Sequence, residues 1–286
     1  MPEGDTIFRT ARNLGRALEG KPVTAFRSTF PWLTRFDDDT PLTGQTVDKV
    51  EARGKWLLLH FSGGGILASH LLMNGSWHIY RRGERWQLAR IHMRIVIEND
   101  QYQAVGFRVP VARMHTPQSL DRDLRVALPE NDLLRAEFNF AAALERLIAR
   151  GDEAIADVLL NQSVLAGVGN VFKSEICFVN GLHPFRTIAS LTRDEAAAAI
   201  VCAQKLLRAN VLVDSGDTIV TFRGQQRRTT HASHPGESLW VYGRHGEPCR
   251  RCDAAIRRRI QGDDARVTFW CPCCQPMPDG SDVDGS

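Results

Sequence analysis

The sequence predicts a multidomain α+β protein: a β-sandwich entered through an N-terminal helix, then a helical domain, then a four-cysteine ribbon hairpin. Three observations predict this. Between Pro22 and Leu120, short β-branched, aromatic and aliphatic runs alternate with turn residues. From Leu133 onward, apolar residues recur at helical spacing. Near the end, Cys249-Arg250-Arg251-Cys252 and Cys271-Pro272-Cys273-Cys274 give C-x2-C-x18-C-x2-C, a spacing in the range of four-thiolate zinc sites.

Taken in order, Ile7, Ala11, Leu14 and Leu18 mark one helical face, which Gly20-Lys21-Pro22 ends. Strands are expected at 46–51, 56–61, 66–72, 77–80, 92–98 and 102–107, with turns at Gly63-Gly64-Gly65 and Asn99-Asp100. Such spacing fits an antiparallel sandwich or barrel. A linker with proline and mixed charge follows, from Thr116-Pro117 to Pro129. Leu133, Leu134, Ala141, Leu144, Leu147 and Ile148 fit one helix that stops at Gly151, and a second helix is expected over 152–161. Two glycines in Gly167-Val168-Gly169-Asn170 open a tight turn before a helix over 171–179. Thr192 and Glu195 form a capping box for a long helix to about Asp214. Residues 217–237 are polar and basic without periodicity, a loop by default and a DNA contact as the pointed alternative. The domains read as 1–120, a linker at 121–130, 131–238, a ribbon at 239–276 and a disordered tail at 277–286.

Composition limits the function classes. A 286-residue chain that is 43% hydrophobic buries a real core, and a net charge of +3 permits a nucleic-acid partner without requiring one. No apolar run approaches the roughly 20 residues of a membrane span. The start lacks the basic-then-apolar order of a signal peptide, so a cytoplasmic protein is expected. Five of the seven cysteines crowd into Cys249–Cys274, which argues for a metal site over disulfides, while Cys177 and Cys202 read as buried apolar residues. Cys249, Cys252, Cys271 and Cys274 form a closed set for one structural Zn²⁺, with Cys273 spare. Arg257-Arg258-Arg259 and Arg266 lie on the hairpin between the two knuckles, where guanidinium groups suit phosphate oxygens.

Six residues carry candidate chemistry. Removal of Met1 would free the Pro2 secondary amine; an α-amino group has a pKa near ~8 and can attack an electrophilic carbon. Glu3 beside it is a carboxyl able to pass protons. Lys55, in Arg53-Gly54-Lys55 at the entrance of the strand 56–61, reads by itself as a solvated surface charge. Leu72 and Met73 run into the Asn74-Gly75 turn, as core residues or as a wedge between base steps. Asn170 is either a helix N-cap or an amide offered to a phosphate.

In this order, Pro2-Glu3-Gly4, Arg53-Gly54-Lys55, Gly167-Val168-Gly169-Asn170 and the four-cysteine ribbon resemble the Fpg/Nei family of bifunctional DNA glycosylases. Pro-Glu-Gly resembles the endonuclease VIII (Nei) branch. The resemblance implies a helix–two-turn–helix domain around Asn170, Pro2 as nucleophile, Glu3 as its proton-transfer partner and Lys55 near the lesion's phosphate. Asn170 and Arg266, five residues before Cys271, would grip the backbone of damaged duplex DNA, with the enzyme a monomer. It further implies base flipping, a Schiff base on Pro2, β- and δ-elimination, and a preference for oxidised pyrimidines. The chain departs from the family at three places: Thr6 stands where the branch has an acidic residue, Leu72-Met73-Asn74 replaces Gln-Leu-Tyr, and Arg108-Val109-Pro110 replaces the Asp-Pro-Arg-Arg-Phe-Gly loop. Rival readings are Fpg-like action on oxidised purines and a non-catalytic zinc-ribbon DNA-binding protein.

Overall fold

The computed structural model describes residues 2–123, 125–126, 129–211, 227–230, 235–261 and 266–280. The expectations for Met1, most of 217–237, the turn at 262–265 and the tail beyond 280 lie outside the described residues. The chain forms two compact units, the first holding the described residues up to 126 and the second those from 129 on.

The first unit opens with α1 (Gly4–Leu18), followed by β1 (Ala25–Ser28), α2 (Pro31–Asp39) and β2 (Val47–Arg53). Strands β3 (Trp56–Phe61), β4 (Ile66–His70), β5 (Ser76–Arg81), β6 (Met93–Glu98), β7 (Tyr102–Phe107) and β8 (Val111–His115) follow, then the short helix α3 (Pro117–Asp121). Two antiparallel sheets result, ordered β2-β3-β4-β8 and β1-β6-β7-β5. They make a sandwich. Period-two alternation sends Leu57, Leu59, Leu67, Ile79, Ile95, Ile97 and Ala104 into one core, joined there by the Ile7, Ala11, Leu14 and Leu18 stripe of α1. Trp56 and Leu58 point to the opposite face of β3, where Leu120 and Val126 cover them. That double burial accounts for the unbroken apolar run of β3.

Four elements lie outside the expectation here. β1 and β8 are short, and α2 buries only Leu33, so none shows a strong period. The linker begins with α3, which Thr116 and Ser119 close with reciprocal capping bonds.

The second unit contains α4 (Phe140–Ile148), α5 (Ile155–Leu160), α6 (Asn170–Val179) and α7 (Arg193–Val211), then the antiparallel hairpin of β9 (Arg257–Gln261) and β10 (Arg266–Trp270). The single helix expected from Leu133 is corrected: Leu133 and Leu134 lie before α4, whose first turn is set by Asn139 Oδ1 accepting the Ala142 N–H at 3.0 Å. The apolar periodicity misled because Leu133 joins the same core from an irregular segment. The capping box of α7 forms as expected, with Thr192 N–H donating to Glu195 Oε2 at 2.8 Å and Glu195 N–H to Thr192 Oγ1 at 3.1 Å. No helix among the described residues is long and apolar enough to cross a membrane.

Candidate nucleic-acid site

The N-terminal residues are held by packing. Glu3 is fully buried, and its carbonyl accepts the Ile7 N–H at 3.0 Å, so the chain is fixed from its third residue. The far end of α1 is pinned as well. Gly20 N–H donates to Val47 O at 2.9 Å, Asn99 Nδ2 to Ala17 O at 2.8 Å, and Val50 N–H to Glu19 Oε1 at 2.6 Å. Fifteen helical residues span about 22 Å and the seven of β2 about 23 Å. Anchored by its last turn at the start of β2 and packed on β2 and β3, α1 carries Pro2 and Glu3 toward the opposite end of that hairpin.

That opposite end is the Gly54-Lys55 turn, closed by the Arg53–Trp56 pair. Gly54 has φ +59°, a left-handed conformation that glycine adopts without strain. Lys55 is half-buried there. Trp56 also pairs with His70, so Lys55 and the segment after His70 leave the sheet at the same end. That segment is a protruding turn. Leu71 is buried, while Leu72 and Met73 are 48% and 63% exposed. Leu72 is left-handed at φ +45°, and its N–H donates to His70 Nδ1 at 3.2 Å. A side chain at Gly75 would meet the Leu71 carbonyl at 2.7 Å, so the turn requires glycine. Burial, and then the Lys55 charge, pull His70 down to a pKa of about 4, which keeps its ring neutral and Nδ1 free to accept. At the end of β7, Arg108 also adopts a left-handed backbone, φ +49°, with Nη2 3.1 Å from His92 Nε2.

In the second unit the two-glycine turn precedes α6. Gln162 shapes it, accepting the Gly167 N–H at 3.0 Å and donating to Val168 O at 3.1 Å. The N-cap of α6 is Gly169 and not Asn170, which is the first helical residue. The capping explanation of Asn170 is therefore corrected: its side chain makes no cap, and its buried Oδ1 has no hydrogen-bond partner among the described residues. Sequence reasoning missed Glu175, whose carboxylate accepts the N–H groups of Trp240, Val241 and Tyr242 at 2.8, 2.9 and 2.9 Å and the Thr229 hydroxyl. Residues 227–230, expected within a loop, are ordered by that contact and by Thr229 N–H donating to Ser238 O at 2.8 Å. Phe269 N–H donates to Ser174 Oγ at 3.4 Å, so α6 bears Asn170 at its head and the hairpin along its length.

Arg266 opens β10 opposite Gln261, and Arg258 and Arg259 are exposed on β9. The sulfur atoms of Cys249, Cys252, Cys271 and Cys274 all lie within 4.8 Å of one another. Three separations are 3.9, 3.4 and 3.5 Å, against about 3.8 Å between sulfurs of a tetrahedral zinc tetrathiolate. The donor set fits that ion, and Cys273 is exposed outside the set.

The formamidopyrimidine-DNA glycosylase N-terminal domain matches residues 1–110, and the H2TH (helix–two-turn–helix) domain of the same glycosylase matches residues 130–222. A probable endonuclease 8 2 of Streptomyces coelicolor is 39% identical, covering 97% of this chain and 95% of its own length. The DNA-(apurinic or apyrimidinic site) lyase Nei2 of Mycolicibacterium smegmatis is 37% identical over 96% of this chain, and an Escherichia coli endonuclease 8 is 33% identical over the same share; 99% and 100% of their own lengths are covered. Among solved structures, Lactococcus lactis formamidopyrimidine-DNA glycosylase bound to DNA containing an abasic site superposes with a TM-score of 0.77 at 23% identity, covering 96% of this chain and all of that one. MutM in complex with DNA containing carbocyclic 8-oxo-G gives 0.78 at 21%, with the same coverage.

Proposed function

The chain belongs to the Fpg/Nei family of DNA glycosylase/AP lyases, on its endonuclease VIII branch, and from that premise we propose that it removes oxidised pyrimidines through a Schiff base on Pro2 and cuts the strand by β,δ-elimination. It acts as a monomer on duplex DNA in the cytoplasm. The observation that carries the reading is the anchored start of α1, which directs Pro2 and buried Glu3 toward the Lys55 turn and the exposed Leu72–Met73 loop.

With Met1 removed, the Pro2 amine lies at the N-terminal end of α1, beside buried Glu3. A flipped nucleotide presents C1′ to that nitrogen. The nitrogen lone pair forms the N–C1′ bond, the base departs with the glycosidic electron pair, and Glu3 moves the protons involved. Opening of the sugar ring gives an iminium, which acidifies the 2′ C–H. Loss of that proton expels the 3′ phosphate, and a second elimination expels the 5′ phosphate; water then releases Pro2. Lys55 holds the phosphate beside the lesion. Leu72 and Met73 fill the vacated stack, which their exposure and the His70-braced turn support. Asn170 and Arg266 hold the backbone from the second unit. Cys249, Cys252, Cys271 and Cys274 would hold Zn²⁺ as a closed, structural site, which stiffens the hairpin that bears Arg266.

Borohydride reduction in the presence of duplex DNA with an abasic site tests the central step. A covalent complex whose peptide map ends at Pro2 is expected; bound DNA without any trapped complex, in protein lacking Met1, would favour the non-catalytic reading. Lesion choice is tested by excision of thymine glycol or dihydrouracil against 8-oxoguanine in one sequence context. Pyrimidine lesions should lead, and an 8-oxoguanine preference would move the enzyme to the purine branch, toward which Met73 leans.

A further inference from the structure

We propose that the outer face of the β1-β6-β7-β5 sheet carries a second nucleic-acid contact, a basic track for the phosphodiester backbone of duplex DNA beyond the lesion. The inference rests on DNA being the substrate and extends to a surface that the proposed chemistry does not use. An open groove of about 710 Å³ lies there, lined by Arg27, Arg85, Arg90, Trp86 and Gln103, with Glu84 its one acidic lining residue. Val96 faces the same side, since alternation sends Ile95 and Ile97 into the sandwich core.

The groove is built. Trp86, Leu88 and Met93 pack on Val96, Val105 and Phe107, closing a small apolar cluster under residues 82–92. Trp86 Nε1 donates to Gln103 Oε1 at 2.9 Å, and the Gln87 N–H donates to the Tyr80 hydroxyl at 3.1 Å. Glu84 accepts the Arg81 N–H at 2.9 Å, so its carboxylate is engaged within its own turn. Arg85 is exposed and has no ion-pair partner among the described residues. Arg27 is ion-paired with Glu98, so the groups left for phosphate oxygens are the exposed guanidiniums of Arg85 and Arg90, held on a fixed scaffold.

Continuity supplies the ligand. Residues 90–92 lead into β6, Arg108 follows β7 and Asn74-Gly75 lead into β5. Since Met93 and Ser76 both pair with Phe107, these three segments leave the sheet at one end. Ile91, 79% exposed, projects there between Arg90 and His92, beside Arg108 and the sheet end that receives the Leu72–Met73 turn. An apolar side chain among cations suits a nucleic-acid groove, where sugars and base edges lie between phosphates. A duplex is favoured over an acidic peptide because the groove's loop leads through residues 90–92 to the sheet end that receives the Leu72–Met73 turn. Six-residue strands span about 20 Å, or about six base pairs at 3.4 Å each. Only a duplex with longer flanks reaches the groove.

The test compares binding of duplexes of about 12 and about 30 base pairs, each with a central tetrahydrofuran abasic-site analogue, across a salt series. The double variant Arg85→Gln/Arg90→Gln alters two lining side chains with no part in the proposed chemistry. On the long duplex, losing two phosphate contacts should make the slope of log K against log salt shallower by about 1.8. On the short duplex the slope should match wild type. A wild-type slope on the long duplex overturns the track, as does an equal change on both lengths. Unchanged duplex binding with lost binding of polyglutamate would assign the groove to an acidic peptide and overturn it too. Failure of the catalytic reading would appear separately, as no borohydride trapping on a short natural abasic duplex, and leaves the slopes decisive for the track.

Discussion

Asn170 Oδ1 is buried without a hydrogen-bond partner among the described residues, a state that costs about 1–3 kcal/mol. A phosphate oxygen cannot satisfy it, since both accept; the proposed backbone contact is a donation from Nδ2. Asn170→Ala should therefore leave the melting temperature unchanged or raise it, with stability moving by no more than about 1 kcal/mol. Duplex affinity should fall about 10- to 100-fold, the value of a lost charge-assisted hydrogen bond. Melting scans beside binding titrations check both, and a large loss of stability would return Asn170 to a structural role. His70 makes the complementary case, since its Nδ1 is engaged by Leu72 N–H. Its pKa is lowered from 6.5 to about 4 in the folded protein, first by burial and then by Lys55. Between those values the unfolded chain binds more protons than the folded one, so stability rises with pH across that window. The contribution is complete above pH 6.5 and lost as pH falls toward 4. Discounted for the ring's partial exposure, it is worth about 2 kcal/mol. His70→Asn, which cannot titrate, should flatten the acid limb of stability against pH relative to wild type. An unchanged limb would mean that another group sets it.

Helix α6 joins two candidate phosphate-binding positions. Asn170 stands at its head, and through Ser174 and Glu175 it holds β10 and the segment that leads into the ribbon. Glu175→Gln would aim an amide donor at one of the three N–H groups now satisfied, at a cost of about 3 kcal/mol. The second unit should melt earlier, and duplex affinity should fall although neither Asn170 nor Arg266 is altered; unchanged melting would refute this reading of Glu175. Much at this scale was legible in the chain. The α1 stripe, the expected strands, the α7 capping box and the four cysteines are local patterns with short periods. Glu175 was not, because a glutamate in Phe172-Lys173-Ser174-Glu175 looks like a solvent-facing helix residue and its partners lie 54 to 67 positions away. The Leu133 helix failed for the converse reason: a leucine buried from an irregular segment imitates helical spacing. Glycine as the cap of α6 was missed because Asn170 is the better capping residue by type.

At the scale of the molecule, the ribbon reaches stability by different means from the large apolar core that each unit holds. The first unit closes a large apolar core between two four-stranded sheets and α1, with no cysteine in it. The ribbon has only a small cluster, in which Cys249 and Cys271 sit with Phe178, Val241, Ile256 and Phe269. Four thiol sulfurs within 4.8 Å would repel as thiolates unless a cation lies among them. Structural zinc supplies about 10–16 kcal/mol to small metal-folded modules, more than such a cluster provides. Chelation should therefore release one zinc per chain and unfold the ribbon selectively. Trp270, 1% exposed beside Cys271, should then meet water and shift its emission to the red. The transition of the first unit should stay where it was, and duplex affinity should fall with the loss of an ordered Arg266. Restoring zinc should reverse each change. Metal-free protein that keeps its Trp270 emission and its affinity would show that the apolar cluster alone holds the hairpin.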